Sequence, residues 1–138
     1  LEGYREAMRE AGLAVDSKLI VQGDFTEAGG MLAVNRLLDG RVPFTAIACS
    51  NDQTAIGALL SLHRRNIRVP DDVSIIGFDD VAPARFSIPP LTSVHLSVYE
   101  AGEAAARSML RLLRAEHGVE TLPEPRLAMR ESTRRLSL

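Results

Sequence analysis

The sequence predicts an α/β fold, a parallel sheet covered by helices on both faces, and three observations support it. Short apolar runs alternate with stretches of helical periodicity, the pattern of parallel strands joined by covering helices. The strand-like runs hand over to short polar loops that hold helix-capping residues. The run Val73–Phe78 is apolar at nearly every position, as expected of a strand buried on both sides.

Leu1–Ala11 reads as a helix with Tyr4, Met8 and Ala11 on one face and Gly12 as its stop. Leu19–Val21 is a short apolar strand leading into Gln22-Gly23-Asp24-Phe25. Thr26 caps the next helix, whose stripe is Met31, Val34, Leu37 and Leu38 and whose end is Gly40. Thr45–Cys49 is a strand, and Ser50-Asn51-Asp52 offers N-cap chemistry for a helix reaching Arg65. Ala55, Ile56, Leu59 and Leu62 face its core side, Asn66 is a left-handed stop, and Pro70 blocks continuation.

After Val73–Phe78 come Asp79-Asp80, a Pro- and Ala-rich loop or short helix over 81–90, and a strand over Leu91–Leu96. Ser97 with Glu100 forms a capping box for the longest helix, Val98–His117. Its acids Glu100 and Glu103 precede Arg107, Arg111 and Arg114, an order that suits the helix dipole. Gly118–Pro125 is a linker, and Arg126–Met129 is a last strand before a polar tail.

A length of 138 residues suits one domain with a real core, and 46% hydrophobic with 25% charged residues is ordinary globular composition. No apolar run approaches the roughly 18 residues of a membrane helix. The sequence opens neither with Met nor with a basic segment before an apolar one, so we read no signal peptide and expect a fragment or processed product. A net charge of −2 argues against direct nucleic-acid binding by these residues. The basic groups Arg64/Arg65/Arg68 and Arg130/Arg134/Arg135 read as solvated helix ends and a charged tail. Cys49, the one cysteine, lies in an apolar run and reads as a small buried side chain. The cytoplasm is the expected compartment.

In open parallel sheets, ligands sit at the loops that follow the carboxyl ends of the strands. Here those loops are Asp24-Phe25, Ser50-Asn51-Asp52 and Asp79-Asp80. An ionised Asp accepts two hydroxyl hydrogens, Asn donates and accepts, and an aromatic face stacks on the apolar side of a sugar or base. Together they describe a pocket for a small, neutral, hydroxyl-rich molecule. Each residue also has a plainer reading: Asn51 or Asp52 as a helix cap, Asp79 and Asp80 as turn residues, Phe25 as core. A magnesium site for phosphoryl transfer would use the same acids, but its other parts are thin. The one lysine, Lys18, precedes its strand; no glycine-rich phosphate loop exists, and none of His63, His95 and His117 adjoins a nucleophile elbow. No catalytic residues, metal ligands or cofactor are expected, and an enzyme is not.

Ala48–Ala58 resembles the "ND-x-x-A-x-GA" element of the LacI/GalR family through Asn51, Asp52, Ala55, Gly57 and Ala58. Val69–Asp80 resembles its "vP-D-(D)-v-S-vvG-[FY]-D" element, Pro89–Val94 its "P-x-LT-[ST]-[VI]" segment, and Arg130–Thr133 its "R-x-S" ending. The four motifs follow the family's order and spacing and cover essentially the whole chain.

The resemblance implies a type I periplasmic-binding-protein-like fold, in which two α/β subdomains enclose an effector and an N-terminal helix-turn-helix binds operator DNA. It implies effector contacts by Phe25, Asn51 and Asp79, with Asp24 and Asp52 structural. It assigns 1–96 to the C-terminal subdomain, 97–125 to a hinge-crossing helix and linker packed in the N-terminal subdomain, and 126–138 to a return strand and tail. The family's contact Arg, three residues before Gly3, would fall just before Leu1, so the DNA-binding domain and most of the N-terminal subdomain are expected to be absent. A homodimer is expected through Ile56, Leu59, Leu60, Arg85, Phe86 and Ile88. The implied function is effector binding, with a sugar as effector, that controls operator binding by hinge closure, with no membrane partner. The alternative is an exported sugar-binding protein of a transport system.

Overall fold

Four strands form one sheet in the order β1 (Ala46–Ala48), β2 (Ser74–Asp79), β3 (Thr92–His95) and β4 (Arg126–Ala128). The first three are parallel and β4 is antiparallel to β3. In this computed structural model, residues 1–116, 118 and 120–135 are described. Ile47 lies opposite Ile75, and Gly77 opposite Ser93, so side-chain alternation puts all four on one face. Helix α3 (Asp52–Arg64) packs on that face against β2, and α2 (Glu27–Asp39) packs against α3. Gly57 lets the two helices meet closely, because a Cβ there would strike the Glu27 backbone. The core is Val34, Ile47, Ala55, Ala58, Leu59, Leu62, Val73, Ile75, Ala84 and Leu91.

The caps of α2 and α3 are where the sequence placed them. The Thr26 hydroxyl accepts from the Gly29 N–H at 3.0 Å and starts α2; Asn51 does the same for α3 through the Thr54 N–H at 2.9 Å. Helix α1 (Glu2–Glu10) stops at Gly12 (φ 69), where the Gly12 and Leu13 N–H groups return to Arg9 and Met8. Asn66 (φ 57) closes α3 in the same way, its N–H returning to His63 and that of Ile67 to Leu62.

Three expectations differ from the structure. Leu19–Val21 is not a strand: Ser17–Leu19 is a 3₁₀ turn, and Ile20 is extended but joins no ladder among the described residues. Three apolar residues make a strand only if a neighbour supplies hydrogen bonds, and β1 is the edge of the sheet. Ser97 makes no capping bond, because its backbone (φ −75, ψ 69) is not the extended form from which a cap side chain reaches back. Cover of the sheet is uneven. The face of Ala46, Ala48, Ile76 and Phe78 stays partly open, α1 buries no side chain, and α4 (Val98–Leu113) buries only Ala104. Helix α4 ends at Leu113, short of the expected His117; His117 itself and the last residues, 136–138, lie outside the described residues. Among those described, no helix is long and apolar enough to cross a membrane.

Candidate functional site

The loop before α2 is built by Asp24, whose carboxylate accepts from the Thr26 N–H at 3.0 Å and the Thr26 hydroxyl at 2.7 Å. These bonds hold its carboxyl below the usual aspartate range. Asp24 is therefore spent on the loop. Phe25 takes a left-handed backbone (φ 66), rare for a bulky residue, and its side chain is not core: the residue is 61% exposed.

Asn51 combines two tasks. Its Oδ1 caps α3, and its Nδ2 donates to the Phe25 carbonyl at 2.9 Å, joining the two loops. One amide hydrogen has no partner among the described residues. The capping reading is thus correct, and it leaves a donor at the rim beside Phe25.

Asp79 ends β2, and both Asp79 (φ 104) and Asp80 (φ 55) lie in left-handed backbone. For non-glycine residues such conformations cost of order 1–3 kcal/mol each unless the surroundings impose them. The Asp79 carboxylate is half-buried and accepts no hydrogen bond among the described residues. Burial raises its pKa, and the nearby Asp52 charge raises it further. A perturbed acid at a strand end is a candidate for a functional position.

Asp80 is the opposite case. Its side chain is 4% exposed and meets Arg130, His95 at 3.1 Å and Arg85 at 3.5 Å. Burial pushes its pKa up, but the Arg130 bond and charge, the His95 bond and the Arg85 charge outweigh it and leave the carboxyl below the ordinary range. Arg130 also donates to the Leu91 carbonyl at 2.6 Å, so it is a half-buried strut rather than part of a solvated tail. Three of the other arginines read as bland also have partners: Arg65 with Asn35, Arg68 with Asp72, and Arg134 with the Pro70 and Asp71 carbonyls. A basic cluster in sequence carries no sign of these partners.

Asp52 is fully buried, and its carboxylate accepts from Ser93 at 2.6 Å and the Val81 N–H at 2.8 Å. Burial, aided by the Asp52 charge, pushes the Cys49 thiol up to about 12, which disfavours the nucleophilic thiolate. Among the described residues no group of three or more His, Cys, Asp or Glu side chains can hold a metal ion.

Of the residues expected at a dimer surface, Phe86 and Ile88 are 82% and 92% exposed, and Leu60 and Arg85 are also exposed. Ile56 is half-buried. Leu59 is only 6% exposed and belongs to the core. A concavity of about 460 Å³ lies between the C-terminal end of α3 and the Ile88-Pro89 loop, away from the Phe25–Asn51–Asp79 rim.

The family model described as a periplasmic binding protein-like domain matches residues 1–133. The Escherichia coli K12 repressor CytR is 40% identical over 138 residues, covering 99% of this chain and 40% of the repressor. The PurR repressor of Haemophilus influenzae is 37% identical over 96% of this chain and 41% of its own length. Among solved structures, the E. coli repressor ascG superposes with a TM-score of 0.86 at 38% identity, over 94% of this chain and 48% of that one. The cellobiose complex of the regulator CelR does so with a TM-score of 0.88 at 36% identity, over 94% of this chain and 40% of that one. The chain thus spans less than half the length of these relatives, which are transcription regulators and not enzymes. With the family model matching nearly from end to end, the chain belongs to the periplasmic binding protein-like family, and the relatives it matches are transcription regulators.

Proposed function

We propose that this chain forms one wall of the effector cleft of a LacI-type regulator, and that its effector is a small hydroxyl-rich molecule, a sugar. The supporting observation is the rim itself. Among the described residues, Asn51 keeps an amide hydrogen without a partner and Asp79 an unpaired carboxylate at the carboxyl ends of β1 and β2, and the exposed Phe25 is tied to Asn51 through its carbonyl. Those groups match the stacking face, donor and acceptor that a sugar asks for. The CelR structure, similar over nearly all of this chain, is a complex with cellobiose. Residues 1–96 form the C-terminal subdomain, 97–125 cross the hinge and pack in the N-terminal subdomain, and 126–138 return, in keeping with the pairing of β4 on β3. Effector binding closes the hinge of a cytoplasmic homodimer, and operator DNA is held by a domain outside this sequence, as a population shift between two states. The exposed Phe86, Ile88, Leu60 and Arg85, with Ile56, supply the dimer surface; Leu59 only supports it from the core.

Melting the full-length protein with cellobiose, D-glucose and D-ribose tests the reading, since a ligand that binds only the native state raises the melting point. At least one sugar should raise it, and neither Asp79→Ala nor Phe25→Ala should respond. Variants that respond like the wild type would remove these residues from the site.

A further inference from the structure

The turn that presents Asp79 is held from outside itself. The N–H groups of Asp80 and Val81 both end on a buried pair: Asp80 donates to the Ser93 hydroxyl oxygen at 3.1 Å, and Val81 to the Asp52 carboxylate at 2.8 Å. The Ser93 hydroxyl in turn donates to the other Asp52 oxygen at 2.6 Å. Resting on the reading of Asp79 as an effector contact, we propose that Asp52 is the positioning residue of the ligand site, its buried carboxylate clamping the Asp79-Asp80 turn and so fixing the aim of Asp79.

Three features support this assignment. Helix α3 has no use for the Asp52 side chain, because Asn51 already caps it; the carboxylate instead spans 29 and 41 residues of sequence to reach its donors. Space is kept for it: a Cβ at Gly77 would collide with an Asp52 oxygen, so the strand facing the clamp carries a glycine. The chemistry also requires an acid. Two donors converge on two acceptor-only oxygens, whereas an asparagine would turn an NH₂ group against one of them. With Asn51 next to it at the same helix end and bonded to the Phe25 carbonyl, one turn of α3 sets the positions of all three rim residues.

Titration of the full-length protein with cellobiose, D-glucose and D-ribose tests the clamp, with Asp52→Asn compared with Val34→Ala, a core change between α2 and α3 away from the turn. Asp52→Asn should weaken the sugar that the wild type binds by about 20-fold, the loss of a hydrogen bond to a charged group. Val34→Ala should lower the melting point yet stay within about two-fold in affinity. An Asp52→Asn affinity no lower than that of Val34→Ala overturns the proposal. If Asp52→Asn does not fold, Ser93→Ala replaces it with an expected loss of about five-fold, and an unchanged affinity overturns the proposal equally. If the wild type binds none of the three sugars, the sugar reading fails, and the crystal structure of the folded variant decides the clamp. Asp79 leaving left-handed backbone supports it, and Asp79 staying there overturns it.

Discussion

Asp79 and Asp80 are neighbours held in opposite electrostatic states, and each state predicts a stability profile. Burial and the Asp52 charge raise the Asp79 pKa above its ordinary 3.8, so its contribution to stability is present in acid and lost as pH rises through the raised value. Asp79→Asn should therefore stabilise the folded protein at neutral pH, measured by denaturant unfolding, while losing the sugar response. A stability unchanged or lower at neutral pH would show that the carboxylate has partners beyond those described. For Asp80, Arg130 and its companions lower the pKa, so its contribution is full above 3.8 and is lost as pH falls through the lowered value. Asp80→Asn should flatten the stability loss of the wild type below that pH, and an equally steep acid limb in the variant would contradict the pairing. At this scale the sequence was half legible. Short acids and an aromatic at strand ends pointed to the rim, but nothing local separated Asp79, unpaired, from Asp80, paired with a side chain 50 residues away.

Elements were most legible where a local signal completes itself within a turn. Thr26, Asn51, Gly12 and Asn66 each act within a few residues of their position, and each does what its type suggests. Asn51→Ala removes both the α3 cap and the tie to Phe25, and should cost about 1–2 kcal/mol by urea unfolding. A change near zero would mean that the helix start is held by other contacts. Ser97 and Leu19–Val21 misled because their local patterns need a backbone angle or a ladder partner that only the rest of the fold supplies. Ser132 is the converse, a serine in a basic tail with no periodicity around it. It is fully buried, donates to the Ile75 carbonyl at 2.6 Å and accepts from the Thr92 N–H at 2.8 Å, suturing β2 to β3. Ser132→Ala leaves two buried backbone groups unpaired and should cost about 2–4 kcal/mol, whereas a loss below about 1 kcal/mol would show that the suture is redundant.

For the whole molecule, the alternation of periodicities was enough to give the α/β class and the parallel β1–β2–β3 core, because each strand and helix there buries its apolar face in the same layer. Helices α1 and α4 were equally legible as helices, but where they pack was not, since an amphipathic stripe says only that a face is to be covered. The proposed homodimer belongs to this scale. Phe86→Asp with Ile88→Asp should move the full-length protein from dimer to monomer in sedimentation velocity with circular dichroism unchanged, and a persistent dimer would place the interface elsewhere. The central claim is that the Phe25–Asn51–Asp79 rim holds a hydroxyl-rich effector, and the most direct test is calorimetric titration of the full-length protein with cellobiose, D-glucose and D-ribose. The wild type should bind at least one of them, and Asp79→Ala and Phe25→Ala should each weaken that sugar at least about 10-fold. Binding of equal affinity in both variants would contradict it.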